Sequence, residues 1–212
     1  MARGRRKNPA GGTLLGSVVG KVKGLGYAST AYRMTLTGKA PDRLLLQPSD
    51  ILPGDAGRGS ALLDNRYAFA GQEVTMPAGL RPGVSQDGPP WRHMDAGDVW
   101  FRELQSFDWL RDLRALATQA SRARARKLVL HWLDLHTAID PRPWSPDLVG
   151  RRVSAWLAHG DFLLKDSDSS FSKRFFQGLA LQARHLSRTA RTGEDGVERI
   201  LALKGVLYSG LS

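Results

Sequence analysis

The chain has 212 residues, 42% hydrophobic and 24% charged, enough for one domain or a domain with an appendage around a proper core. It has no cysteine, which excludes disulfides, thiolate catalysis and cysteine–zinc sites, and no stretch approaches the roughly 18 apolar residues of a membrane span. The net charge of +11 is uneven: residues 1–40 hold eight Lys or Arg and no acid, 41–97 hold five basic and seven acidic residues, and 98–212 hold 18 and 13.

The opening "MARGRRKNPAGGTLLGSVVGKVKG" imitates a secretory signal, with a basic start and a short apolar run. Lys21 and Lys23 follow that run at once and no A-x-A-like cleavage site appears, so a largely disordered basic arm is predicted over residues 1–40. An irregular segment with short strands is predicted over 41–97. Leu44 to Leu46 reads as a short strand, and Pro53-Gly54-Asp55 as a turn. The alternation in "NRYAFAGQEVTM" predicts a strand or hairpin around Gly71, and "PAGLRPGVSQDGPP" predicts loop.

From Asp98 onward Gly and Pro thin out, and helical spacing predicts a mainly α domain over 98–212. In "RELQSFDWLRDLRAL", Leu104, Phe107, Leu110 and Leu113 share one helical face and should be buried, with Trp109 packed beside them. Asp108, Arg111 and Asp112 should point outward or pair across a helix end. Leu128, Trp132, Leu135 and His136 mark the next helix, which opens with the basic run "ASRARARK". Ser145 followed by Pro146 is a strong start for a third, with Val149, Val153, Trp156 and Leu157 on its apolar face and Gly160 at its end. A fourth runs from about Ser170 to Ala190 through Phe171, Phe175, Leu179, Ala183 and Leu186. A fifth carries Val197, Ile200, Leu201, Leu207 and Leu211. That last helix is apolar on more than one face, so open hydrophobic surface is expected there, and an architecture cut short at its C-terminal end.

Four of these stretches resemble, in order, motifs of heparinase II/III-like proteins, a group of polysaccharide lyases and relatives. They are "RYAFAGQEV", "WFRELQSFDWLRDLRAL", "WSPDLVGRRVSAWLAHG" and "FFQGLALQARHLSRTA". The resemblance implies helical hairpins forming part of an incomplete (α/α) toroid, with the second toroid half and a β-sandwich domain lying outside this chain. It implies β-elimination on a uronic-acid-containing polysaccharide. The family's catalytic Asn, His and Tyr fall, by resemblance, on later toroid helices and its other His on the sandwich, so no catalytic residue is carried over. A cleft edged with arginine would suit such an acidic polysaccharide.

The candidate substrate-binding residues are Arg151, Arg152, His159 and Trp144. Both arginines lie near the start of the third helix, where a carboxylate or phosphate partner competes with a solvated surface or an internal salt bridge. His159 beside Gly160 is placed for a cleft, or else as a cation near a helix C-terminus. Trp144 and Trp91 lie in loops and could stack on a sugar ring, whereas Trp109, Trp132 and Trp156 read as core. The five histidines form no H-x-x-x-H or HExxH pair, and no metal or cofactor is expected. The alternative is a non-enzymatic helical module whose clusters "ARGRRK" and "ASRARARK" hold nucleic acid or anionic lipid without sequence preference.

Overall fold

The computed structural model describes residues 30–76, 90–92, 97–192 and 195–212. The basic start of the arm, the predicted loop after Met76 and His93 lie outside the described residues. What is described is mainly α, with one two-stranded antiparallel hairpin.

The arm drawn to residue 40 overlaps the fold. Thr30–Leu36 is a helix, α1, and Leu36 is fully buried. Two arginines of a later helix hold it by its C-terminal carbonyls. Arg184 donates to the Leu36 and Lys39 oxygens at 3.0 and 2.6 Å, and Arg188 donates to the Thr35 oxygen at 3.0 Å. Such contacts satisfy acceptors that a helix end leaves open. Leu44 to Leu46 form no strand, but the Leu45 N–H donates to the Ser212 carbonyl at 2.9 Å.

A helix stands where only a turn was expected. Ala56–Leu63, α2, is capped by Asp55, whose carboxylate accepts the Arg58 N–H at 3.0 Å. The expected hairpin follows as β1, Arg66–Phe69, and β2, Gln72–Thr75, with Arg66 opposite Thr75 and Phe69 opposite Gln72. Its two-residue turn places Ala70 and Gly71 at φ 52° and 77°, the left-handed pair that matches strand twist. A short 3-10 turn, Pro90–Arg92, sets Trp91 into the core.

The motif helix is broken in two. Gly97–Ser106, α3, stops before Phe107, and Leu110–Ala115, α4, begins after Trp109. Phe107 takes φ 61°, a left-handed conformation that bulky residues rarely adopt. Side chains bridge the break. Ser106 Oγ donates to the Glu103 carbonyl at 2.8 Å and accepts the Asp108 N–H at 3.1 Å, while Trp109 Nε1 donates to the Leu104 carbonyl at 2.9 Å. As expected, Leu104, Phe107, Leu110, Leu113 and Trp109 are all buried.

Asp112 is buried too, and of the two places expected for it takes the second, pairing across a helix end. It accepts the Asp55 N–H at 2.8 Å and pairs with Arg58 at 3.0 Å, which ties α4 to the start of α2. Asp112→Ala should therefore cost about 1–3 kcal/mol, because both donors lose their acceptor, rather than the small change expected of a surface acid. A urea melt checks this.

Gln119–Leu135, α5, starts with a reciprocal capping box between Thr118 and Ser121. Pro146–Ala158, α6, starts at the expected Ser145–Pro146 pair, although the Ser145 hydroxyl is buried and makes no capping bond. Its end is not set by Gly160. His159 closes α6 and Gly160–Leu164 forms a further turn of helix, α7. Ser169–Thr189, α8, is capped by Asp168, and Val197–Leu211 is α9. Consecutive helices α8 and α9 pack on one another, and α6 lies against both.

The α6–α9 crossing is a contact between backbones. A Cβ on Gly150 would fall 2.3 Å from the Leu201 carbonyl oxygen, and one on Gly205 would fall 2.6 Å from the Gly150 Cα. Only Ala202 and Gly205 of α9 are buried, while Val197, Ile200, Leu203, Leu207 and Leu211 are exposed, the open apolar face expected of this helix. No helix among the described residues is long and apolar enough to cross a membrane.

An arginine-edged cleft at the end of helix α6

The loop Gln47–Gly54 runs across the junction of α6 and α7 and meets α4 there. Between them is a cleft of about 460 Å³ lined by Gln47, Asp50, Arg111, Arg114 and His159, among others. Gln47 pins the loop. Its amide donates to the Ala158 carbonyl at 3.0 Å and to Asp161 at 2.8 Å, and its oxygen accepts the Asp161 N–H at 2.9 Å.

Asp50 is the hub. Arg111 Nε donates to its Oδ2 at 3.0 Å, the Leu52 N–H donates to its Oδ1 at 3.1 Å, and His159 Nε2 lies 3.2 Å from Oδ2. The His159 approach is close enough for an ion pair but off the line of a hydrogen bond. Burial works to raise the Asp50 pKa. The Leu52 N–H and the Arg111 charge outweigh it and hold the carboxyl below its ordinary value.

His159 is buried at the foot of the cleft. Burial pushes the imidazole below its usual pKa, against the pull of Asp50, and the Arg114 and Arg111 charges push the same way. It is therefore neutral at pH 7. Arg114 can only donate, so its Nη1, 3.5 Å from His159 Nδ1, fixes Nδ1 as the acceptor and places the ring proton on Nε2, toward Asp50. With both nitrogens facing protein groups, His159 is not set up to take a proton from a ligand. It is not the cation that its place at a helix C-terminus suggested.

Arg114 is the more exposed of the two arginines at the cleft. It donates to Asp161 at 3.1 Å and to the Ala158 carbonyl at 3.3 Å, yet its side chain is 43% exposed. Arg111 stands beside it at the cleft wall. The arrangement can dock an anion on a guanidinium edge; it offers no poised base or nucleophile.

The other candidates sit elsewhere. Arg151 is held internally, with Nε 2.8 Å from Asp108 and Nη2 3.0 Å from both oxygens of Glu103, which is the salt-bridge alternative. Burial disfavours that charge, but Asp108 and Glu103 outweigh it and raise the pKa.

Arg152 is 0% exposed. It donates to Gln182 Oε1 at 2.5 Å, to the Gln105 carbonyl at 3.1 Å and to the Pro143 carbonyl at 3.1 and 3.2 Å, with its guanidinium 4.0 Å from the Trp132 ring centre. Burial lowers its pKa to about 9, partly opposed by Asp147, so it stays charged at pH 7.

Trp144 is 3% exposed and packs against Trp132 and His185, so neither it nor the equally buried Trp91 presents a surface platform for a sugar ring. Of the four candidates read from the sequence only His159 lines the cleft, and Gln47, Asp50, Arg111 and Arg114, which line it too, were not among them. Among the described residues no group of three His, Cys, Asp or Glu could hold a metal ion.

A second buried histidine behaves like the first. His185 donates from Nε2 to the Trp144 carbonyl at 3.1 Å and accepts the Tyr32 hydroxyl at Nδ1, 3.0 Å away, joining α8 to α1. Burial drives its pKa down to about 4, with the Trp144 carbonyl opposing and Arg152 and Arg188 assisting. An unfolded histidine binds its proton near pH 6.5, so between about 6.5 and 4 the unfolded chain holds more protons than the folded one. Stability is full above that window and is lost as pH falls through it. His185 alone should contribute a loss of about 2 kcal/mol between pH 7 and pH 5. Urea melts at the two pH values measure it, and His185→Gln should flatten the slope. An unchanged slope in that variant would mean that other groups carry the pH dependence.

Compared with known proteins, the chain matches no family model, no curated protein and no solved structure.

Proposed function

We propose that this chain is the N-terminal helical portion of a heparinase II/III-like polysaccharide lyase, and that it helps to hold an acidic polysaccharide rather than cleave it. Its helices would form part of an incomplete (α/α) toroid. The supporting observation is where the resemblance-bearing residues meet. Trp100 Nε1 donates to the Tyr67 carbonyl at 3.2 Å, which joins "RYAF" to "WFREL". Arg152 of "GRRVSAWL" bonds both Gln105 of the second stretch and Gln182 of the fourth. The four stretches are thus tied together by buried polar bonds, as expected if they define one scaffold.

The cleft edged by Arg111 and Arg114 is the place for a uronate carboxylate in this proposal, because a guanidinium edge suits a repeating carboxylate. The family's β-elimination needs a group that neutralises that carboxylate and a base that removes the C5 proton. The cleft supplies a means of the first, and among its described residues no base is poised for the second, so turnover would depend on residues outside this cleft, which the resemblance puts on later toroid helices.

For the nucleic-acid alternative, two of the four basic residues in its second cluster have partners within the protein. In "ASRARARK", Arg124 donates to the Leu62 carbonyl at 3.0 Å and the Tyr67 hydroxyl at 2.7 Å, and Arg126 donates to the Leu163 carbonyl at 2.7 Å. These arginines bind the protein's own oxygens.

The test is retention of the whole chain on alginate, polygalacturonate and heparin, with dextran and dextran sulfate as controls, alongside ultraviolet assay for an unsaturated uronate. Expected are carboxylate-dependent binding weakened by Arg114→Ala, and no product from the chain alone. Binding that tracks sulfate alone, or that ignores Arg114, would defeat the proposal.

A further inference from the structure

Helix α9 leaves one whole side uncovered. Val197, Ile200, Leu203, Leu207 and Leu211 are between 44 and 67% exposed, and no other element among the described residues leaves as many large apolar side chains open. At the helical pitch the five fall within an arc of about 120°, opposite Ala202 and Gly205, which are buried against α6. The charged residue within that arc, Lys204, directs its charge to the border, its Nζ lying 5.2 Å from the centre of the Tyr208 ring. At the last turn the exposed Leu45 adjoins the stripe, because its N–H donates to the Ser212 carbonyl at 2.9 Å.

Size and symmetry name what covers this side. The exposed parts of the five residues come to roughly 500 Å², high in the range of about 300–600 Å² for the largest apolar patch of a monomer. Two stripes face to face would remove about 1,000 Å² from water, the least that a specific interface needs, before any polar rim is counted. The stripe also reads nearly the same from either end. Val197 and Leu211 lie seven residues either side of position 204, Ile200 and Leu207 lie four and three residues from it, and Leu203 sits between them. A surface that meets its own copy across a two-fold axis must be self-complementary in this way.

We infer that α9 is the interface of a homodimer, in which two copies of the chain pack their α9 stripes antiparallel about a two-fold axis near Lys204. Ile200 then lies beside Leu207 of the other copy, and Val197 beside its Leu211. Each copy covers the stripe of the other, so assembly closes at two. The inference uses α9 and does not rest on the polysaccharide proposal.

The experiment is analytical ultracentrifugation of the whole chain over a concentration series. A monomer–dimer equilibrium is expected, with association at least about a hundred-fold weaker in the double variant Ile200→Glu, Leu207→Glu, since two apolar side chains per copy lose their burial. Both positions face outward, so that variant should keep its helical circular dichroism. Ile51→Glu, at an exposed apolar residue outside α9, should leave association unchanged. Because the chain has no cysteine, the two-fold axis can be read separately with a short thiol cross-linker. Lys204→Cys should link to its own copy, whereas Val197→Cys alone should not and should link only when mixed with Leu211→Cys. A chain that stays monomeric up to about 100 μM, as it would if another segment covered the stripe, overturns the inference. So does open-ended association, a dimer that survives the double variant, or self-linking of Val197→Cys in place of Lys204→Cys.

Discussion

Phe107→Ala is expected to lower stability by about 3–5 kcal/mol, as large-to-small changes of buried aromatics do. In a chain of this length that corresponds to a fall in melting temperature of roughly 6–20 °C. Four tryptophans surround the ring. Trp91 stacks on it at 5.0 Å between centroids, Trp109 lies at 4.9 Å, and Trp156 and Trp132 meet it edge-on at 5.4 and 6.3 Å. Each such pair adds about 0.5–1.5 kcal/mol beyond area burial, and all four share the one ring. The left-handed backbone supplies an internal control. Phe107→Gly opens the same cavity but relieves about 1–2 kcal/mol of backbone strain, so it should be no worse than Phe107→Ala. A Phe107→Ala melt within a degree or two of wild type would mean that the tryptophans pack without it.

The second large effect concerns Arg152. Replacing it with Met keeps most of the volume and strands the Gln105 carbonyl, the Pro143 carbonyl and Gln182 Oε1. Each stranded acceptor costs about 1–3 kcal/mol, while removing a buried cation returns part of its desolvation penalty. The expected net loss is about 2–4 kcal/mol. Adding Gln182→Leu should recover some of it, a coupling that a double-mutant cycle reads directly. If Arg152→Met instead stabilises the chain, the cation is a burden the core tolerates and not what holds the motif stretches together.

Elements with a long period are legible in the sequence. The helices around Trp132, Trp156 and Phe175 bury most of the residues that their spacing marked, with Leu135, His136 and Ala183 only half-buried, and the hairpin at Gly71 follows from alternation and a permissive turn. Short elements escaped. The helix Ala56–Leu63 carries glycines that weaken its propensity, and Gly160–Leu164 is too short to show a period. The break at Phe107 has no local signal, because the left-handed residue there is neither Gly nor Asn and is imposed by the packing around it. The site was harder still. Residue type says that an arginine seeks an anion, but only tertiary placement says whether that anion is Asp108, as for Arg151, or whether neutral carbonyls suffice, as for Arg152. Asp50 and Arg114 come together across more than sixty positions of chain, which spacing cannot reveal.

The touching backbones of α6 and α9 leave a mark on how this sequence can drift. A new Cβ on either Gly150 or Gly205 meets main chain, which no compensating side-chain change can trim away. The two positions are therefore frozen together: neither can vary alone, and a change in one cannot rescue a change in the other. Along α9 the permitted alphabet should alternate once per turn, closed at 202 and 205 and wide at 200, 203 and 207, where the side chains face outward. One helix thus carries two mutational histories, an inner edge written in small residues that cannot be edited and an outer edge free to be rewritten for whatever lies against it.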